Sequence, residues 1–144
     1  MAIWYNPLTL TELNATQFKG LTRTLGIAFT ELGDDFLRAT MRVTEALLQP
    51  YGILHGGANI TLAETLGSTA AVLCIDRNRF RCVGQEINAN HLRPGLLNSL
   101  LTGSARAFHV GLRSQVWGIE IRDEQDKLVC VARLTMAVIA QSAA

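Results

Sequence analysis

One short stretch of the sequence, residues 49–68, combines several groups that could perform hydrolysis. Hydrolysis of a thioester needs hydrogen-bond donors for the developing oxyanion and a carboxylate that attacks the carbonyl or activates water. Gly56 and Gly57 precede a helical pattern, and a helix N-terminus offers free backbone N–H groups and a favourable dipole. Gln49 adds an amide donor, and His55 stands at the helix entrance.

Glu64 is the candidate catalytic carboxylate. It stands among Leu62, Ala63 and Leu66 in a helical stretch with almost no other charge. A lone carboxylate on an apolar helix needs a reason, because an unpaired charge is costly to bury. Ser68 is four residues later and therefore on the same helical face, where its hydroxyl could position a water beside the carboxylate.

Each of these residues also has an ordinary structural explanation. A helical Glu is usually solvated, paired glycines can form a tight turn, and a His can cap a helix. The Ser68 hydroxyl could bond back to its own helix. The coincidence of all these residues in one stretch favours catalysis over the separate explanations.

The elements that must position these residues follow from the apolar pattern. The capping box from Thr9 to Glu12 predicts a short helix over residues 9–18, ending before Gly20. Residues 26–32 and 36–43 predict a strand hairpin with one wet face, because apolar and polar side chains alternate in the second strand.

A long helix over residues 58–74 follows, and the rest of the chain predicts strands. Small residues at Ala63, Gly67, Ala70 and Ala71 predict a helix surface on which a sheet can pack closely. Gly67 in mid-helix costs about 1 kcal/mol relative to Ala, so close packing or function should explain it. Strands are predicted over residues 82–92, 100–109, 114–122 and 128–139.

This order predicts an α+β fold, with a single helix on one face of an antiparallel sheet. Parallel αβ alternation does not fit, because no helix separates the last four strands. With 144 residues, the chain has room for one domain, spanning residues 1–144.

Composition narrows the classes of partner. The hydrophobic fraction of 49% is high for so small a protein, so we expect burial between subunits in a homo-oligomer. The formal charge of +1 argues against nucleic acid binding. No apolar run reaches the roughly 18 residues of a membrane helix, and the N-terminus lacks a secretory signal, so a cytoplasmic protein is expected.

The cysteines and histidines do not show metal-ligand spacing. Cys74, Cys82 and Cys130 lack a C-x-x-C pair, which indicates neither a disulfide framework nor a zinc site. The histidines are far apart in the sequence, and no H-E-x-x-H motif occurs. We therefore expect no metal.

Three segments of the sequence resemble one known family. They are QPYGILHGGANITLAETLGS at 49–68, GQEINANHLR at 84–93 and HVGLRSQVW at 109–117. Together they resemble the hotdog-fold thioesterases of the aryl/acyl-CoA type, whose substrates include 1,4-dihydroxy-2-naphthoyl-CoA. The resemblance extends over residues 25–139 and implies a long helix wrapped by an antiparallel sheet. It also implies a dimer with a continuous sheet, usually doubled into a homotetramer.

The resemblance implies a role for each site residue. Glu64 would act at the thioester as nucleophile or general base, with Ser68 near the water. The Gly56 N–H would polarise the carbonyl, aided by Gln49 and His55 from the other subunit. Coenzyme A would be part of the substrate, with no separate cofactor. The residues implied for coenzyme A binding are Gly84, His91, Leu92, Arg93, Pro94, His109, Val110, Gly111, Leu112, Arg113 and Ser114.

Two other functions remain open from the sequence. A hotdog-fold hydratase or dehydratase pairs a catalytic His with a more distant acid, whereas His55 and Glu64 are close together in the chain. A non-catalytic acyl-CoA-binding protein would use the same cleft, but a carboxylate beside the thioester weakens binding unless it does chemistry. Both facts favour the thioesterase. The sequence does not identify the acyl group of its substrate.

Overall fold

One long helix packs against a six-stranded antiparallel sheet in the computed structural model, which describes residues 1–16 and 19–141. The helix contacts the second to sixth strands, which places it across the inner face of the sheet. The elements in chain order are α1 (Leu10–Ala15), α2 (Gly20–Thr24), β1 (Ala28–Leu32), β2 (Phe36–Arg42), a 3₁₀ turn (Glu45–Leu47), α3 (Gly56–Leu73), β3 (Phe80–His91), β4 (Leu100–Val110), β5 (Ser114–Arg122) and β6 (Leu128–Ala140).

The strand order is β1-β2-β4-β5-β6-β3, so β1 and β3 are the two edge strands. The α+β architecture predicted from the sequence is confirmed. Of the helices in the described residues, none is long and apolar enough to cross a membrane.

The alternation of residue types in the strands determines which face is buried. In β2, Leu37, Ala39 and Met41 are fully buried, while Arg42 is exposed, as the hairpin prediction requires. In β5 the inward-facing side chains are equally buried, and Trp117 among them stacks on Trp4, with ring centroids 6.3 Å apart. The period-two pattern therefore locates the core correctly.

Helix α3 begins at Gly56, two residues before the predicted start. His55 is its N-cap, and the Nδ1 atom of His55 accepts a hydrogen bond from the Gly57 N–H at 2.9 Å. The imidazole caps the helix in place of the more usual Ser, Thr, Asp or Asn side chain. Both glycines therefore lie in the first turn of α3. The ordinary structural explanation for His55 is therefore correct, whatever else the residue does.

The small-residue surface of α3 does lie against the sheet. A Cβ atom added to Gly67 would lie 2.6 Å from Leu134 Cδ2 on β6. The sheet also has a glycine at the contact, since a Cβ atom on Gly103 of β4 would lie 2.5 Å from Leu66 Cδ1. Close packing thus explains the mid-helix glycine, which is one of the two explanations that the sequence left open.

The N-terminal region differs from the prediction. The capping box of Thr9 and Glu12 is present, but α1 ends at Ala15; the predicted end at Phe18 lies outside the described residues. The side chain of Asn14 bonds to both the N–H and the C=O of Phe29, which fixes the end of α1 to β1. Helix α2 was not predicted, since Gly20 was expected to end a helix and instead begins one.

Replacing Gly67 by Val should destabilise the protein. The added side chain would overlap Leu134, which is fully buried and cannot move into solvent. The expected loss is about 1–3 kcal/mol in the free energy of unfolding, measured by urea denaturation. Thr65→Val, on a half-buried position of the same helix, is the matched control and should change stability much less. Equal stability of the two variants would contradict the close-packing explanation.

Candidate active site

The N-terminus of α3 forms one half of the candidate site, which we call the helix-entrance cluster. Gln49, Gly56, Asn59, His91 and Arg93 line a common cavity of about 450 Å³. Leu92 and Pro94 also border it, together with Ile53, Leu54 and Gly95. The structure thus brings the predicted oxyanion donors together with one predicted coenzyme A segment.

Gln49 is held in place by a turn that precedes α3. Its side-chain Oε1 accepts a hydrogen bond from the Tyr51 N–H, and its backbone C=O accepts one from Gly52. Gly52 adopts a φ of +78°, a left-handed conformation that glycine enters without strain. Because Oε1 is used within the turn, the Nε2 group of Gln49 is the part of the amide that can donate to a ligand.

His91 lies against the first turn of α3, at the end of β3. A Cβ atom at Gly56 would be 2.7 Å from His91 Nε2, so only a glycine leaves room for this imidazole. The sequence suggested a free backbone N–H that can bind a carbonyl oxygen as the reason for Gly56. The structure adds a second reason, since His91 also needs the space.

Asn59 was missed by the sequence analysis. It is 3% exposed, and its Nδ2 atom lies 3.5 Å from His91 Nδ1. Among the described residues its Oδ1 atom has no hydrogen-bond partner. A buried polar atom left unpaired costs about 1–3 kcal/mol. The available signal was an amide three residues after Gly56, between the apolar residues Ala58 and Ile60.

Glu64, Ser68 and Gly84 form the second half of the candidate site, which we call the carboxylate cluster. Glu64 is half-buried, and a Cβ atom on Gly84 would lie 2.7 Å from Glu64 Oε1. Gly84, on β3, therefore leaves room for the Glu64 carboxylate, which extends from α3. The Ser68 hydroxyl donates to Met136 Sδ at 3.7 Å, and Met136 pairs with Gly84 across β6 and β3.

The two clusters are separated along α3. Gly56 and Glu64 differ by eight positions, which corresponds to about 12 Å along the helix axis. An oxyanion donor and a catalytic carboxylate must each lie about 3 Å from the groups that react. Within one chain, the proposed oxyanion donor and the proposed carboxylate therefore lie about two helical turns apart.

The last predicted segment, from His109 to Ser114, runs from the end of β4 through the turn to the first residue of β5. The Gly111 N–H donates to Ser114 C=O, and the Val138 N–H donates to Arg113 C=O. Val138 pairs with Cys82, so this turn lies toward the end of β3 remote from His91. Leu112 is 90% exposed and Val110 is exposed as well. The predicted coenzyme A residues thus fall into two groups at opposite ends of β3.

A larger cavity, of about 560 Å³, lies away from both clusters. Its walls include Arg38, Arg106 and Arg122, each in an ion pair with a nearby exposed carboxylate. No residue of the predicted site lines it, so its size does not make it the candidate site. Within residues 1–16 and 19–141, no three His, Cys, Asp or Glu side chains lie close enough to hold a metal ion.

Comparison with known proteins identifies the family. The chain matches the thioesterase superfamily over residues 51–130. It is 44% identical over 137 residues to the 1,4-dihydroxy-2-naphthoyl-CoA hydrolase of Escherichia coli K12, covering 95% of this chain and 99% of that protein. This chain belongs to the thioesterase superfamily. It is therefore a thioester hydrolase, and the hotdog-fold prediction is confirmed.

Other thioesterases are similarly close. The chain is 46% identical over 137 residues to the proofreading thioesterase EntH of Cronobacter turicensis, covering 95% of this chain and 98% of that protein. A crystal structure of a mutant thioesterase from Pseudomonas aeruginosa superposes with a TM-score of 0.94 at 44% identity, covering 97% of this chain and all of that one. Of the functions left open by the sequence, the thioesterase is the one these relatives support.

Burial lowers the reactivity of the three cysteines of this thioesterase. Cys74, Cys82 and Cys130 are all free thiols. Burial raises the pKa of Cys74 to about 12, and it raises the pKa of both Cys82 and Cys130 to about 11. Since the thiolate is the nucleophile, these thiols are poorly reactive at neutral pH.

The native thioesterase should therefore react slowly with a thiol reagent near neutral pH. We expect little colour from an aromatic disulfide reagent with the folded protein, and all three thiols to react once denaturant unfolds the chain. Stopped-flow absorbance measures both. Rapid labelling of any of the three thiols in the native protein would show that burial does not protect them.

Proposed function

We propose that this thioesterase hydrolyses acyl- or aryl-coenzyme A thioesters to the free acid and coenzyme A. Glu64 is the nucleophile or general base, and the Gly56 N–H is the oxyanion donor. The observation that carries the proposal is the half-buried Glu64 carboxylate, whose Oε1 lies against the bare backbone of Gly84. The similarity to a 1,4-dihydroxy-2-naphthoyl-CoA hydrolase supports coenzyme A as the thiol.

The reaction follows from the two clusters. The thioester carbonyl oxygen lies at the N-terminus of α3, where the Gly56 N–H and the Gln49 amide stabilise negative charge as it develops. On the general-base route, Glu64 takes a proton from water and the water oxygen bonds to the carbonyl carbon. The C–S bond then breaks, and the departing thiolate of coenzyme A takes up the proton. Ser68 lies on the Glu64 face of α3 and helps to position the water.

A second copy of the chain completes each site in this proposal. β3 is a long edge strand, and Val83 on it is 45% exposed, which suits pairing with another strand. His91 marks the helix-entrance cluster and Gly84 marks the carboxylate cluster, on the same strand. Antiparallel pairing of β3 with its copy, centred between Gly84 and His91, places each carboxylate cluster beside the partner's helix-entrance cluster.

This arrangement supports a homodimer with two shared sites, and the family resemblance extends it to a homotetramer of two dimers. The coenzyme A moiety would then lie across residues from both chains, including Arg93 and Arg113, whose guanidinium groups suit phosphates. We also propose that the reaction needs no separate cofactor, because a carboxylate, water and backbone donors suffice for it. Three free thiols support a cytoplasmic location.

Glu64→Ala should lower kcat by at least about a thousandfold while the protein stays folded, because it removes the acid/base or nucleophilic group. Release of coenzyme A from benzoyl-CoA and from a medium-chain acyl-CoA is followed with a thiol reagent. Glu45→Ala, which removes an exposed carboxylate from the 3₁₀ turn, is the control and should keep full activity. If Glu64→Ala kept more than about a tenth of the activity, the loss of transition-state stabilisation would be less than about 1.4 kcal/mol and the assignment would be wrong.

Two inactive variants should rescue each other if the site is shared. Glu64→Ala removes one half of the site, and the Gln49→Ala/His55→Ala double variant removes the other half. A mixed dimer then contains one site with both defects and one intact site. Random exchange of subunits makes about half of the dimers mixed, so activity should recover to roughly a quarter of wild type.

Mass spectrometry of the intact complexes confirms whether mixed dimers have formed. Mixed dimers without recovered activity would place the whole catalytic set within one chain. Sedimentation at micromolar concentration gives an independent check, since a monomer under those conditions would rule out the shared site.

A further inference from the structure

We propose that Asn59 is a positioning residue, which holds neutral His91 so that its Nε2–H points into the cavity beside Gly56. There it donates a hydrogen bond to a carbonyl oxygen of the bound acyl-CoA. The proposal rests on the proposed function for the substrate, but its structural part concerns only Asn59, His91 and the helix entrance.

The burial of Asn59 indicates that its amide has a purpose beyond folding. Its neighbours on the helix, Ala58, Leu62 and Ala63, are buried and apolar. Its Oδ1 makes no hydrogen bond within the described residues, so the amide does not cap or bridge backbone there. A leucine of similar volume would avoid the cost of burying an amide at this position. The amide is retained beside the cavity, in contact with His91.

In this proposal the contact with Asn59 selects which nitrogen of His91 carries the proton. Asn59 Nδ2 lies 3.5 Å from His91 Nδ1, and an amide nitrogen can only donate. Nδ1 must then accept, which leaves neutral His91 protonated on Nε2. The contact is long for a hydrogen bond, and such bonds in active sites commonly tighten when substrate binds.

The position of His91 Nε2 indicates which group its hydrogen can reach. It lies beside Gly56, close enough to clash with any Cβ atom there, and Gly56 provides the proposed oxyanion donor. His91 also lines the cavity with Gln49 and Arg93. A hydrogen on Nε2 therefore adds a donor to the group formed by the Gly56 N–H and the Gln49 amide. A hydrogen on Nδ1 instead would leave an acceptor facing the substrate oxygen, which repels it.

His55 provides an internal comparison. Its Nδ1 accepts from the Gly57 N–H, so neutral His55 is also protonated on Nε2, but by a backbone donor. A substitution at Asn59 should therefore change the tautomer of His91 and leave that of His55 unchanged.

The first test measures the tautomers directly. Protein labelled with ¹⁵N-histidine is examined by long-range ¹H–¹⁵N NMR, well above the ordinary His pKa of about 6.5. We expect Nε2–H for His91 in the wild type and a mixture of both tautomers in Asn59→Leu, with His55 unchanged in each. An Nδ1–H tautomer in the wild type, or an Nε2–H tautomer unaffected by Asn59→Leu, would overturn the proposal.

The second test is a double-mutant cycle on acyl-CoA hydrolysis. Asn59→Leu should lower kcat/KM by about tenfold, equivalent to about 1.4 kcal/mol, while the midpoint of thermal unfolding stays the same or rises. His91→Ala should lower kcat/KM at least as much, and the Asn59→Leu/His91→Ala variant should be no worse than His91→Ala. If the losses in kcat/KM of the two single variants, expressed as free energies, add up in the double variant, Asn59 does not act through His91. Asn78→Leu, at an exposed turn position, is the control and should keep full activity.

The kinetic constants distinguish the oxygen that His91 contacts. A loss confined to kcat indicates the thioester oxygen, and a loss confined to KM indicates an amide oxygen of the pantetheine arm. If Asn59→Leu does not fold, Asn59→Ala removes the same amide and takes its place in both tests.

The proposed function and the proposal for Asn59 can be disproved independently of each other. An active Glu64→Ala variant would remove the carboxylate assignment, yet the tautomer measurement and the cycle would be unaffected. An unchanged His91 tautomer in the Asn59 variants would remove this proposal and leave Glu64 untouched.

Discussion

The close contact between α3 and the sheet is the constraint on which the rest of the molecule depends. Gly67 on the helix and Gly103 on the sheet leave no room for a Cβ atom, so the two layers approach through Leu134 and Leu66. That approach brings side chains of the helix within reach of β3. Without it, Glu64 would not lie against Gly84, and His91 would not lie over Gly56.

Glycine therefore has the same use in the core and in the candidate site. At Gly67 a missing side chain admits Leu134, at Gly84 it admits the Glu64 carboxylate, and at Gly56 it admits His91. In each case the space is filled by a side chain from the opposite layer. The packing of the fold and the placing of functional groups are thus parts of one arrangement, which links the stability of the protein to the geometry of its site.

The distribution of the site along α3 follows from helix geometry. The eight positions between Gly56 and Glu64 separate the donors from the carboxylate by about 12 Å. In the proposed dimer, the two halves meet through β3, an edge strand that carries a marker of each cluster. A fold with a free edge strand beside its only long described helix suits a site shared between subunits.

Much of this protein follows from its sequence, because local patterns act through local physics. Alternation in β2 and β5 identified the buried faces, and the stretch around Gly56 and Glu64 carried the thioesterase resemblance. The end of α1 did not follow, since the bonds between Asn14 and Phe29 join residues far apart in the chain. The contact of Asn59 with His91, and the separation of the two clusters, were likewise decided only by tertiary structure. Both depend on how β3 runs past α3, and no local pattern of residues encodes that path.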